Sequence, residues 1–61
     1  MTGKEIIKIL EQHGWKVLRI SGSHHQMGKG KLRTTVPLHA NRDIGKGLLS
    51  TIKKQTGVKF K

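Results

Sequence analysis

Both ends of the chain carry apolar residues at helical spacing, and the segment between them is strand-like and divided by glycines. Near the N-terminus, the isoleucine and leucine side chains within residues 6–10 recur three and four positions apart, which predicts one apolar stripe along a helix. Thr2 and Glu5 have the spacing of a capping box, and Gly14 stands where a left-handed C-terminal cap belongs. We therefore expect a helix over about residues 3–13.

A second helix is predicted near the C-terminus. The residues of its apolar stripe are Ile44, Leu48, Leu49 and Ile52. Gly57 is a natural stop signal, so we expect this helix over about residues 45–56. Gly45 and Gly47 weaken its start, by about 1 kcal/mol each if they are interior positions. Residues 58–60 alternate and are expected to pack back as a tail.

The central segment predicts three strands. Residues 15–20 have apolar side chains on both sides of an imperfect alternation, which is typical of a strand covered at least partly on both faces. After a glycine turn, residues 24–27 form a short strand, and the segment 28–31 predicts a hairpin connection. Residues 32–36 form the return strand, which Pro37 ends.

This order predicts a single α+β domain over residues 1–61, with two helices side by side on one face of a three-stranded antiparallel sheet. The other sheet face remains open. The polar residues 39–42 connect the last strand to the second helix. A chain of 61 residues without cysteine buries only about 60% of its unfolded surface and has no disulfides, so its stability should be marginal.

The charge balance predicts a polyanionic partner. Thirteen lysines and arginines against three acids give a net charge of +10. This charge favours nucleic acid as the partner first and an acidic protein second, and the two kinds of partner are not mutually exclusive. The lack of cysteine excludes thiol nucleophiles and cysteine-based zinc sites. No apolar run approaches the roughly 20 residues of a membrane span, and no signal-peptide core is present. We expect a cytoplasmic protein with no membrane partner.

Seven cations on the predicted hairpin and around the second helix are the expected phosphate contacts. They are Lys29, Lys31, Arg33, Arg42, Lys46, Lys53 and Lys54. Together they can contact several phosphates at once, so affinity for nucleic acid should fall steeply with salt. The scarcity of aromatic residues argues against a base-stacking platform.

Four histidines are candidates for proton transfer near neutral pH. Capping of the first helix explains His13. His24 and His25 are neighbours at a strand start, so one faces the helices and the other the open side unless the strand bulges. A turn or edge role for this pair also stays open. The hairpin folds His39 back towards this pair, and two histidines at one phosphate suit ribonuclease-type catalysis. A phosphate-binding or loop-closing role for His39 stays open.

Other chemistries are less well supported by the sequence. The histidines and acids lack familiar zinc-ligand spacing, so we expect neither a metal nor another cofactor. Ser23 stands beside His24 without a paired carboxylate, which argues against covalent serine catalysis. The glycine-lysine segment 28–31 does not match a phosphate-cradling Walker loop.

Four segments carry a family resemblance: residues 14–15, 22–27, 35–39 and 52–58. In this order they resemble the HicA toxins, small mRNA-cleaving partners of bacterial type II toxin–antitoxin pairs. The resemblance implies an α-β-β-β-α fold like a double-stranded RNA-binding domain, in agreement with the predicted order. It also implies ribosome-independent cleavage of mRNA, single-stranded or structured, and neutralisation by a HicB-type antitoxin.

The resemblance also implies a catalytic residue. The family's catalytic histidine follows a Gly-Ser pair and stands three residues before an apolar residue, and His24, with Met27 at that distance, fits better than His25. Because some members carry an extra residue between the serine and the histidine, His25 is the second choice. The candidates for protonating the leaving group are His25, His39, a lysine and water, and Ser23 is a further auxiliary. We expect metal-independent cleavage to a 2′,3′-cyclic phosphate or its hydrolysis product.

Two other functions are consistent with the same charge and fold. One is a non-catalytic RNA-binding module, and the other is a docking face for an acidic protein. The antitoxin that the resemblance implies would bind such a docking face. Its acidic side chains would lie near lysines and arginines, and it would shield His24. Nothing in the sequence demands a dimer, so the free toxin is expected to be a monomer.

Overall fold

The chain folds in the predicted order of helix, three strands and helix. The computed structural model describes residues 1–40 and 42–60, so that Asn41, within the predicted polar connection, and Lys61 lie outside the described residues. The elements are α1 (Gly3–Gln12), β1 (Lys16–Ser21), β2 (His24–Lys29), β3 (Leu32–Pro37) and α2 (Lys46–Thr56). The strands form one antiparallel sheet in the order β1-β2-β3. The predicted α+β fold is confirmed.

Both ends of α1 are formed by the residues that the sequence indicates. The Glu5 backbone N–H donates to Thr2 Oγ1 at 3.2 Å, and the Thr2 backbone N–H donates to Glu5 Oε1 at 2.9 Å. The bond from Thr2 lowers the pKa of Glu5, because it favours the ionised carboxylate. At the other end, His13 Nδ1 donates to the Ile9 carbonyl oxygen at 2.9 Å, and Gly14 has a φ of +91°. The capping role of His13 is confirmed.

The hairpin between β2 and β3 is tighter than predicted. The turn consists of residues 30–31 alone. Gly28 and Lys29 were expected in the connection, but they belong to β2 and pair with Arg33 and Leu32. The prediction was wrong at these two positions because a glycine that accepts side chains lying across it is compatible with a strand.

A β-bulge shifts the alternation of β1. Val17 pairs with Met27, whereas Arg19 pairs with Gln26, so Leu18 is the extra residue between two regular pairs. Residues directly opposite each other in an antiparallel sheet point to the same face. After the bulge, therefore, the side chains of β1 point to the faces opposite to those that simple alternation predicts.

The prediction that the first strand is covered on both faces is wrong. Leu18 and Ile20 are 54% and 59% exposed. The reason is the position of β1 at an edge of the sheet, while the helices pack mainly against β3. The helices lie towards the β3 side of the sheet, so Leu18 and Ile20 on the far edge strand stay exposed, while Val17 of the same strand packs against the core.

The core lies between the helices and the sheet. Its buried apolar residues are Ile6, Leu10, Trp15, Met27, Val36, Ile52, Val58 and Phe60. The last two belong to the predicted tail, whose packing against the core is confirmed. Gly57 ends α2 with a φ of +73°, as the sequence predicts. Among the described residues, no helix combines the length and the apolarity that crossing a membrane requires.

Gly3 lies where α1 meets the end of β3, and this close approach yields a stability prediction. A Cβ at Gly3 would overlap the backbone carbonyl oxygen of Pro37 and lie 3.3 Å from the Cα of Leu38. Backbone atoms cannot move aside as a flexible side chain does. We expect Gly3→Ala to lower the free energy of unfolding by about 1–3 kcal/mol, although alanine is the better helix former by about 1 kcal/mol.

Gly47→Ala is the matched control for this prediction. Gly47 lies within α2, and, apart from its chain neighbours and the backbone of its own helix, no heavy atom of the described residues comes within 4 Å of a Cβ built there. Helix propensity then acts alone, and we expect a gain of about 0.5–1 kcal/mol. Urea denaturation followed by circular dichroism measures both variants. A Gly3→Ala protein as stable as the wild type would contradict the close contact with Pro37.

Candidate functional site

The two adjacent histidines at the start of β2 lie on opposite faces of the sheet, as predicted. His25 pairs with the buried Val36, so it points towards the helices and is half-buried. Its Nδ1 lies 3.4 Å from the carbonyl oxygen of Ser23. His24 points to the other side and is exposed. A ligand bound on one face of the sheet can therefore contact only one of the two histidine rings.

We use the name open face for the side of the sheet that carries His24. The strand register defines its paired members as His24, Gln26 and Gly28 in β2, Lys16, Arg19 and Ser21 in β1, and Arg33, Thr35 and Pro37 in β3. The bulge residue Leu18 also lies on this side, across Gly28. Of these described residues, Lys16, Arg19 and Arg33 are cations and none is acidic. The open face is therefore a cationic surface with a histidine at one end, which suits a polyanion.

Gly28 allows Arg33 to lie flat against the open face. A Cβ at Gly28 would be 2.9 Å from Arg33 Nη1 and 2.6 Å from Leu18 Cδ1, so both side chains lie across the glycine. Arg33 Nη1 also donates to the carbonyl oxygens of Gly30 and Leu32, at 2.8 and 2.7 Å. These two bonds hold the guanidinium, and its charge, close to the sheet surface.

Two cations of the open face were missed in the sequence. Lys16 and Arg19 lie opposite Gly28 and Gln26 and are exposed, yet only cations of the hairpin and the second helix were expected to contact phosphate. Alternation alone groups Lys16 with Leu18 and separates it from Arg19. The bulge puts Arg19 on the same face, and no local sequence pattern indicates a bulge at this position.

A recess adjoins the end of the open face at which His24 lies. Its volume is about 250 Å³, and its polar lining includes His39, Arg42 and the acidic Asp43, beside Pro37. Pro37 pairs with His24, and the Leu38 N–H donates to the Ser23 carbonyl oxygen at 2.6 Å. The ladder thus continues past β3, and it brings the segment with His39 to the end of the sheet where the pair of histidines begins. The prediction that the hairpin folds the segment of His39 back towards His24 and His25 is confirmed for the backbone.

The seven predicted phosphate contacts do not share one face. Arg42 lines the recess, and Lys46 begins α2 close to it. Lys29 points to the helix side, where a Cβ at Gly14 would lie 3.3 Å from its Cε. Because Lys29 follows His24 by five strand residues, the two Cα atoms are about 17 Å apart. Arg33 lies at this hairpin end too, but on the open face.

The remaining three lysines also lie towards the hairpin. Lys31 is in the turn itself. Lys53 and Lys54 are exposed in the last turn of α2, next to Gln55, whose Oε1 accepts a hydrogen bond from Thr34 Oγ1 of β3 at 2.8 Å. The predicted set therefore divides into a group near His24 and a group near the hairpin.

A groove on the helix side contains His25. Its volume is about 390 Å³. Its lining consists of Lys4, Ile7, Lys8 and Glu11 of α1 together with His25 and Leu38. We use the name α1 groove for it. The α1 groove surrounds His25 with ionisable side chains and lies on the opposite side of the sheet from the open face. The two candidate histidines can therefore be tested independently. Among residues 1–40 and 42–60, no three His, Cys, Asp or Glu side chains are grouped as metal ligands would be.

Comparison with known proteins identifies the family. The family model described as the HicA toxin of bacterial toxin–antitoxin matches residues 3–58, a range that includes both helices, all three strands and the open face. No curated protein and no solved structure matches the chain. The family predicted from the motifs is confirmed. The chain belongs to the HicA toxin family of bacterial toxin–antitoxin systems.

Proposed function

We propose that this toxin is an endoribonuclease that cleaves mRNA without the ribosome, with His24 as its catalytic histidine, and that a HicB-type antitoxin neutralises it. The observation that carries the proposal is the position of His24, exposed at the end of an open face that also holds Lys16, Arg19 and Arg33. Cations bind the RNA backbone without reading its sequence. A histidine at the end of such a surface can accept a proton from a bound ribose.

The proposed reaction is transfer of the phosphate within the RNA chain. His24 accepts the proton of a 2′-hydroxyl, the 2′-oxygen forms a bond to phosphorus, and the bond from phosphorus to the 5′-oxygen breaks. The leaving 5′-oxygen takes a proton from a second donor. His39 is our candidate for this donor, because it lines the recess at the same end of the sheet, and Arg42 beside it is suited to hold the phosphate. The products are a 2′,3′-cyclic phosphate and a 5′-hydroxyl.

The chemistry of the product ends tests this proposal. Purified toxin is incubated with a defined RNA oligonucleotide, with and without EDTA, and the ends are identified by mass spectrometry. We expect equal cleavage in both samples, with 2′,3′-cyclic phosphate or 3′-phosphate ends. An oligonucleotide with a single 2′-deoxynucleotide at the cleaved position is the control and should resist cleavage there. Products with 5′-phosphates, or loss of activity in EDTA, would contradict the mechanism.

The alternative function is a non-catalytic RNA-binding module of the same fold. It is favoured by the cations near the hairpin, since Lys29 and Lys31 lie about 17 Å or more from His24 along β2 and do not contact a phosphate held at that ring. This alternative predicts RNA binding with no cleavage products in the same experiment. The two functions are therefore separated by one assay.

A further inference from the structure

Strand β1 exposes apolar side chains on both faces of the sheet. Leu18 lies on the open face, across Gly28. Ile20 pairs with His25, so it lies on the helix side. Both side chains are more than half exposed. The sequence of this strand is typical of a covered strand, yet the described residues leave Leu18 and Ile20 uncovered.

The outer edge of β1 is also available for pairing. β1 is an edge strand, and no strand of the described residues pairs with its outer side. β3 is the other edge, but α2 packs against it and Pro37 has no N–H to donate. Exposed backbone groups on an edge strand are a template for a strand from another chain.

We propose that β1 is the docking edge for the antitoxin, and that the partner adds a strand to it. The apolar side chains of that strand would cover Leu18 and Ile20, and its acidic side chains would lie next to Lys16 and Arg19. The proposal deepens the proposed function, because it rests on neutralisation by a HicB-type antitoxin. A partner in this position covers part of the open face and keeps RNA away from His24.

Charge and side-chain chemistry favour this occupant over the two other candidates. A second copy of the chain carries the same net charge of +10, and pairing two β1 strands would bring Lys16 and Arg19 of both copies together. RNA would match these cations but would leave Leu18 and Ile20 against a charged backbone. Only an acidic protein strand satisfies the cations and covers the apolar side chains at once.

Aspartate substitutions in β1 test the docking edge. Each variant is made in the His24→Ala protein, and its binding to the cognate HicB-type antitoxin is measured by isothermal titration calorimetry. We expect Ile20→Asp and Leu18→Asp to weaken binding about 10-fold each and about 100-fold together. Leu32→Asp is the matched control, since Leu32 is 49% exposed on the other edge strand, and it should bind as tightly as the parent protein.

Three results would overturn the docking edge: unchanged affinity of both β1 variants, an equal loss for Leu32→Asp, or no binding of the antitoxin to the parent protein. Circular dichroism of each variant confirms that it is folded. The calorimetry contains no RNA, so its result does not depend on the RNA-cleavage assay. Loss of binding in a toxin whose wild type cleaves no RNA would support the docking edge and contradict only the proposed nuclease activity.

Discussion

Replacing His24 with alanine is expected to lower the rate of RNA cleavage by about 10²–10⁴-fold, the usual contribution of a general acid or base. RNA affinity should change little, because the cations that neutralise phosphates remain in place. The His24 side chain is exposed and makes no hydrogen bond found among the described residues, so the variant should keep its fold. Single-turnover cleavage and equilibrium RNA binding, measured on the same preparation, separate the two effects.

His25→Ala is the matched control, because it removes the same ring one residue away and on the opposite face. Its cleavage rate should stay within a few-fold of the wild type. His25 is half-buried next to Val36, so its variant needs a check of stability as well. If the rate falls only in His25→Ala, catalysis belongs to the α1 groove and the second choice of histidine is correct. Cleavage that survives both substitutions would contradict catalysis by either of these two histidines.

The same pair of variants can be compared in living bacteria. Induced expression of the wild type should arrest growth and degrade bulk mRNA, whereas His24→Ala should do neither. Arrest with intact mRNA in both would indicate toxicity by binding, and would favour the non-catalytic RNA-binding module. Growth and mRNA integrity must therefore be read together.

The helices could be predicted from the sequence because their signals are local. The capping box of Thr2 and Glu5 and the αL glycine at Gly57 each involve residues within a few positions of one another, and both were found where expected. The apolar stripe of the second helix is only partly buried, since Leu48 is 39% exposed. The placement of His24 and His25 on opposite faces of the sheet has a local cause as well, since it follows from strand alternation alone.

The errors arose where pairing between strands decides the structure. The bulge at Leu18 is a property of the register between β1 and β2, and it decides which way Arg19 and Ile20 point. Gly28 looked like a turn residue, and only the side chains lying across it show why a strand accepts it. For the same reason the cations of β1 were missed, whereas the family could be predicted from the motifs.

Reversing the charges of Lys16 and Arg19 in β1 should cause a large loss of RNA affinity and make that affinity less dependent on salt. Each phosphate contact to single-stranded nucleic acid contributes about −0.7 to the slope of log affinity against log salt. Five contacts, from Lys16, Arg19, Arg33, Arg42 and Lys46, give a slope of about −3.5 and about a 100-fold loss of affinity between 50 and 200 mM salt. Fluorescence anisotropy of a labelled RNA measures this slope.

The double variant Lys16→Glu/Arg19→Glu removes two of these contacts, so the magnitude of the slope should fall by about 1.4. Lys4→Glu/Lys8→Glu is the matched control: it changes the net charge equally, but at the α1 groove on the other side of the molecule. Long-range attraction weakens equally in both, whereas direct contacts are lost only in the first. A control that lowers the slope as much as the β1 variant would place RNA at the α1 groove and make His25 the histidine to test.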